Sequence, residues 1–312
     1  MSQAKPASRQ DRSNIYAEIT DTIIAELEAG RFPWVQPWGK PGSLSSLDLP
    51  RNATTNRPYS GINVLILWGA VFEGGYAKQS WLTFRQAHAL GGSVRKGERG
   101  TTVVYASRFI PGENRRAVRP SEEGRGIPFL KRFTVFNIEQ CDGLPADIAV
   151  AAPRLPPDLI VPAAEMLIDA TAADFRIGGA RAYYSPSHDF VQVPPPQAFF
   201  EPINWHRTAF HELGHWTGHG SRLKRDLTGS FGSKSYAREE LVAEITGAFV
   251  CASLGIIPTV RHADYVGAWL ELLREDDRAI VRAASAASKA ADYLMAFLPA
   301  AESSSRAVGQ AA

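Results

Sequence analysis

The segment HELGHWTGH, from His211 to His219, contains His-Glu-x-x-His, and no other stretch constrains the chain so tightly. Residues four apart on an α-helix lie one above the other, so His211 and His215 could place two imidazole nitrogens on one divalent metal ion, read here as Zn2+. Glu212 then sits beside an open coordination position, where it could take a proton from water. With 7 His in 312 residues, about 0.01 such pentapeptides are expected by chance. The bland alternative is a pair of surface histidines on an amphipathic helix.

A catalytic zinc needs a third protein ligand, so a second element must deliver a His or a carboxylate. Downstream lies YAREELVAEITGAFVCASLG. Apolar residues at 241, 242, 245, 248, 249 and 250 predict a buried helix over Tyr236 to Leu254 that ends near Gly255. Glu240 and Glu244 share a face of it, and two carboxylates among apolar residues are costly to bury unless a cation neutralises them. One therefore reads as a ligand and the other as its helper, with the roles open at this point. Glu239 also permits a different register.

The Glu-x-x-x-acid spacing resembles the gluzincin metallopeptidases, the thermolysin-like group, whose first acid binds zinc while the second holds the first histidine of the motif by its other nitrogen. By position, the resemblance makes Glu240 the third ligand and Glu244 the residue that orients His211. The reverse, Glu244 on the metal, stays open. A metzincin pattern would run through Gly218, which is present, to a third His three positions later, where Ser221 stands. His219, flanked by Gly218 and Gly220, reads as a cap or cleft residue beyond the helix end.

A chain of 312 residues, 45% hydrophobic and 21% charged, has the size and composition of an ordinary globular protein with room for two cores. No run approaches 18 apolar residues, and MSQAKPASRQDRSN lacks an apolar signal core, so a cytoplasmic protein without a membrane partner is expected. Cys141 and Cys251, far apart, exclude a disulfide framework. Residues 1–145 hold 19 Lys and Arg against 13 Asp and Glu, a net of +6, while residues 146–312 hold 15 against 19, a net of −4. Such a split suggests that the first half meets a polyanion. Pro145, Pro153, Pro156, Pro157 and Pro162 rule out a continuous helix between the halves and place a linker over 146–160.

In the first half, Ile15, Ile19, Ile23, Ile24 and Leu27 predict a helix from Asn14 to Ala29. A second helix is expected from Gly61 to Ala70, and a short third one within SWLTFRQAHALGG. VRKGERGTTVVYASRFI reads as a hairpin turning at Lys96 to Gly100, with Thr101 to Ile110 as a strand and FLKRFTVFNIEQC as its partner. The charged tract 111–128 between them reads as a loop. Arg and Lys neutralise phosphates, and aromatic faces stack unpaired bases without reading sequence. Arg57, Tyr59, Trp81, Arg85, Arg95, Lys96 and Arg99 are the candidates for such a single-strand surface. Against this, aromatics usually build the core.

In the second half, strands are expected at Ala180 to Ser185 and Phe190 to Val193, around a turn at Pro186 to Asp189. Ala182 to Ser185 could hold an extended peptide by strand addition or form a plain hairpin. Asn204 to Gly218 is the expected site helix, with long helices over 265–294 behind it. His262 and Tyr265 are candidate oxyanion stabilisers.

Taken together, NRPYSGIN (56–63), SWLTFRQAHALGGSVRKGERGTTVVY (80–105), VFNIEQCDGLP (135–145), HELGHWTGHGSRLKR (211–225) and YAREELVAEI (236–245) resemble the ArdC family of antirestriction proteins carried by conjugative plasmids. The resemblance implies an N-terminal single-stranded-DNA-binding domain and a C-terminal zincin-like metallopeptidase domain, with related halves in plasmid TraC-type primases. The expected fold is therefore α+β in two domains: residues 1–145 binding single-stranded DNA, a Pro-rich linker, and a gluzincin-type domain over 161–312. Protection of incoming DNA, with a host restriction-system protein as peptidase substrate, is what the resemblance implies. The alternative from another class is a DNA-binding or decoy protein whose metal site is structural or vestigial.

Overall fold

The computed structural model describes residues 14–35, 48–109, 127–149, 157–256 and 265–299. Asn14 accepts a hydrogen bond from the Tyr16 amide and starts α1 (Ile15–Glu28), which buries Ile23 and Leu27. After β1 (Arg51–Asn52), α2 (Ile62–Gly74) begins, and Gly75 ends it in the left-handed conformation that glycine tolerates best. Next come β2 (Ser80–Leu82), α3 (Phe84–Ala89), β3 (Ser93–Val94), β4 (Thr101–Phe109), β5 (Ile127–Asn137) and β6 (Cys141–Asp142). The main sheet has the order β1-β2-β5-β4, parallel at β1–β2 and antiparallel elsewhere. Leu67 and Val71 of α2 close over Trp81, Val103 and Val135 to form its core.

Two details differ from the sequence expectation. The SWL stretch is strand, because Trp81 and Leu82 sit between β1 and β5 and are fully buried there. The helix starts only after Thr83, whose capping box with Gln86 marks its N-terminus. The Lys96 to Gly100 turn closes no hairpin: β3 pairs with β6, whereas β4 pairs with β5 as expected, so the turn joins two different sheets. The 111–126 part of the charged tract lies outside the described residues.

The second half opens with α4 (Pro157–Ala170). Four residues of the expected linker are thus its first turn. Proline suits that position, since its missing N–H is one that no helix start uses. Pro162 lies inside the helix. Residues 146–149 form a 3-10 turn, and 150–156 lie outside the described residues. β7 (Asp174–Ile177), β8 (Tyr183–Ser185) and β9 (Phe190–Val193) form a sheet of order β7-β9-β8. The helices α5 (Ile203–Thr217), α6 (Lys234–Leu254), α7 (Val266–Glu275) and α8 (Ala279–Met295) follow. Ala283, Ala284, Ala287, Ala290 and Ala291 line the buried side of α8, and such small side chains let it approach α6 closely. Cys141 and Cys251 are free thiols, and burial pushes the Cys251 thiol up to about 12. Among the described residues, no helix is long and apolar enough to cross a membrane.

The two halves are not separate in packing. One hydrophobic cluster holds Ile23, Leu27, Trp34, Leu65 and Trp68 together with Phe249, Trp269, Leu272 and Ala284. Trp34 stands edge-on to Trp269 at 5.4 Å between ring centroids, and Trp68 stands edge-on to Phe249 at 5.6 Å. Both are favoured aromatic geometries.

Candidate metal centre

Nearly all of α5 is buried, including Arg207, His211 and Glu212. It can pack closely on α6 because Gly214 and Gly247 carry no side chain at the contact; a Cβ on Gly214 would stand 3.2 Å from Ala243 Cα. That approach brings the two motifs together. His211 Nε2 lies 3.4 Å from one oxygen of Glu240, and His215 Nε2 lies 3.4 Å from the other. Ligand atoms of His211, His215 and Glu240 all fall within 4.8 Å of one another.

The outward nitrogens are also held. His211 Nδ1 lies 3.4 Å from Glu244, whose carboxylate accepts a 2.7 Å hydrogen bond from Arg207 with both side chains almost wholly buried. His215 Nδ1 lies 3.2 Å from Glu239, which Arg225 grips at 2.7 and 3.0 Å. Each imidazole thus has a carboxylate behind it and an arginine behind that. The gluzincin resemblance put Glu244 behind His211, and the sequence raised Glu239 only as a different register; Arg207 and Arg225 were not picked out. Arg207 carried a signal, since it precedes His211 by four residues; Arg225, beyond the helix, carried none.

The charge balance of this cluster tests whether a metal fits. Glu212, Glu239, Glu240 and Glu244 are four buried carboxyl groups, and Arg207 and Arg225 supply two guanidiniums. A divalent cation between neutral imidazoles makes up the difference of two charges, which would be costly to leave buried. Without a metal, protons take that role. Burial pushes both imidazoliums down, yet Glu240 and Glu244 hold His211 well above the usual imidazole range, and Glu239 with Glu240 raises His215 to about 9. Burial alone would raise Glu239 and Glu240; the imidazoles, joined at Glu239 by Arg225, hold both below the usual carboxylate range. Two nitrogens and a carboxylate oxygen are a zinc-type donor set that leaves a position open.

These groups line a cleft of about 440 Å³ that Glu212 also borders. Tyr236 and Tyr265 stand on its wall with their hydroxyls 3.2 Å apart. Burial, then Tyr265 and Glu240, raises the Tyr236 phenol far above its ordinary value. Ala182, Tyr183 and Tyr184 line another side, and β8 is an edge strand. His219 stays outside the metal group: α5 ends at Thr217, and the His219 Nδ1 pairs with Ser221 at 2.8 Å. Asp189 binds Tyr184 and Arg222, and the Arg222 guanidinium lies 3.9 Å over the Trp216 ring, which pins the segment after α5 to the β8–β9 turn. His262 lies outside the described residues.

The candidate DNA-binding residues divide. Arg57, Arg85, Lys96 and Arg99 are exposed and Tyr59 is half-buried. Arg95 is exposed but engaged by Glu98 at 2.7 Å and Asp142 at 3.7 Å. Trp81 must be corrected: it is 0% exposed, a core residue of the main sheet with no face to offer a base. Among the described residues of that half, the exposed aromatics are others, Phe72, Phe84, Tyr105 and Phe133.

Comparison with known proteins finds two domains. Residues 13–136 match the N-terminal domain of the anti-restriction factor ArdC, and residues 162–286 match a zincin-like metallopeptidase domain. The crystal structure of antirestriction protein ArdC from plasmid R388 in its metal-free form is 40% identical, covers 91% of this chain and 98% of its own, and superposes with a TM-score of 0.75. Its Mn(II)-bound form gives 0.74. An uncharacterized protein of Sinorhizobium fredii, y4eC, is 39% identical over 92% of this chain and 93% of its own length. A DNA primase TraC of Escherichia coli is 39% identical over 90% of this chain, which spans only 27% of that primase.

Proposed function

Since the chain belongs to the ArdC family of antirestriction proteins, we propose that it works in the cytoplasm to protect incoming plasmid DNA from host restriction, binding single strands with its N-terminal half and carrying a metal-dependent peptidase site in the other. The observation that carries the peptidase reading is the convergence of His211, His215 and Glu240 in a cleft that Glu212 also lines. Those three residues would hold one divalent ion, with zinc the ion that the donors favour. Bound there, the ion would supply Lewis acidity, polarising a carbonyl and making water a stronger acid.

The rest of the chemistry belongs to the protein. Glu212 accepts the proton of the attacking water and returns it to the leaving amine. Glu244 and Glu239 keep the imidazoles turned so that each Nε2 faces the ligand position. Tyr236 and Tyr265 offer hydroxyls to the carbonyl oxygen of the substrate. The outer edge of β8 takes an extended peptide by strand addition, which favours an unfolded segment of a host restriction-system protein as substrate.

DNA binding is supported by the excess of positive charge in residues 1–145 and by the match of this chain to a DNA primase. The test is transfer of an unmodified plasmid into a restricting host. Wild type should raise the surviving fraction, and Glu212→Gln should lose that effect if proteolysis is the means. Full protection by Glu212→Gln would assign the effect to the DNA-binding half.

A further inference from the structure

We propose that single-stranded DNA lies across the exposed stretch of the β4–β5 pair, its bases stacking on Tyr105 and Phe133 and its phosphates met by Arg57, Arg85 and Lys131. The inference rests on the reading that the N-terminal half takes single strands and says where they go. In the β4–β5 register, Val103 faces Phe133 and Tyr105 faces Lys131, so all four side chains share one face of the sheet. On that face Val103 is 5% exposed and belongs to the core, whereas Tyr105 is 65% exposed and Phe133 47%. Two large rings left in water on adjoining strands mark a binding surface rather than a core. As diagonal neighbours their backbones stand about 7–8 Å apart, which lets each ring take its own base.

A cavity of about 420 Å³ opens beside the rings, bounded by Pro58, Tyr59, Thr83, Tyr105 and Phe133, and no Asp or Glu lines it. Arg57 precedes Pro58, and Arg85 follows Thr83 by two residues. A 3.3 Å hydrogen bond from Asn52 to Gln86 ties β1, next to the turn that carries Arg57, to α3, which carries Arg85. The two segments that border the aromatic floor thus each carry an exposed arginine beside it in sequence, and cations next to aromatic faces are the combination that a phosphate-linked strand of unpaired bases needs.

An extended peptide is a poorer occupant. Asn63 donates to the Val104 carbonyl at 2.7 Å and accepts from its amide at 2.8 Å, so the backbone that a peptide strand would pair with is already taken at that point. Duplex DNA offers no unpaired face to the rings.

The experiment titrates the full-length protein with fluorescein-labelled oligo(dT), with its duplex form as control, at several salt concentrations. Tyr105→Ala and Phe133→Ala should each weaken binding about 5- to 100-fold without changing the salt slope. Arg57→Gln with Arg85→Gln should flatten the log-log slope by roughly 0.7 for each phosphate left without its arginine. Tyr105→Trp should retain affinity, which separates ring stacking from a general disturbance, and an unchanged melting temperature verifies the fold of each variant. Wild-type affinity in the double alanine variant overturns the placement while leaving single-strand binding standing. Failure of the wild type to prefer oligo(dT) over duplex overturns both.

Discussion

Gly214 faces Ala243 across the α5–α6 contact with little room for a methyl group: a Cβ there would stand 3.2 Å from Ala243 Cα and 3.3 Å from Thr246 Cβ. The imidazoles and Glu240 sit on either side of this contact, so its spacing sets the size of the ligand triangle. Gly214→Ala should push the helices apart by a few tenths of an ångström and cost about 1–3 kcal/mol in overpacking. It should also weaken metal affinity, read by competition with a chromogenic chelator. A variant destabilised as expected but with wild-type affinity would mean that the triangle does not depend on this contact.

Ligands and their supports should separate by magnitude. His211→Ala, His215→Ala and Glu240→Ala should each remove stoichiometric metal, whereas Glu239→Ala and Glu244→Ala should cost about 10- to 100-fold in affinity. Elemental analysis with chelator competition reads both. Greater damage from Glu244→Ala than from Glu240→Ala would reverse their roles.

Glu212→Gln should keep metal and fold yet lose hydrolysis of a dye-labelled casein, because the amide cannot accept a proton. Undiminished turnover would remove Glu212 from the chemistry.

Metal and protons should compete for the same nitrogens. His215 in the metal-free protein sits at about 9, so at pH 7 its imidazole carries a proton that a metal must displace, and His211 is raised in the same direction. Calorimetry in buffers of different ionisation enthalpy should find protons released at pH 7 and progressively fewer as pH rises past about 9. A raised folded value means that this stabilisation of the metal-free protein is complete below the ordinary imidazole value near 6.5 and disappears as pH rises through about 9. Proton-neutral binding at pH 7 would contradict the assignment.

The candidate metal residues were legible in the sequence because helical periodicity alone puts residues four apart on one face, and that covers both His211 with His215 and Glu240 with Glu244. The place of Glu239 behind His215 was not legible. This residue lies one position off that face, and only the path of the chain after α5, which brings Arg225 back against α6, gives it a partner. Trp81 misled for a related reason: a Trp followed by Leu and Thr reads equally as a helix start or a strand, and the difference is decided by β1 and β5 on either side of it. Tyr105 and Phe133 share a sheet face with the buried Val103 and Val135, but the sequence does not say where along β4 and β5 the covering α2 ends.

The aromatic seam of Trp34 on Trp269 and Trp68 on Phe249 also bears on what can be inherited separately. A boundary drawn through the Pro-rich passage divides the chain by sequence, yet a cut there would expose rings on both sides, so neither fragment would carry a complete interior. Exchange of one half between relatives would succeed only where the incoming rings fit the resident ones. In the TraC primase the match again covers 90% of this chain, so the pair of halves recurs together inside a longer protein. The seam gives the two halves one shared interior.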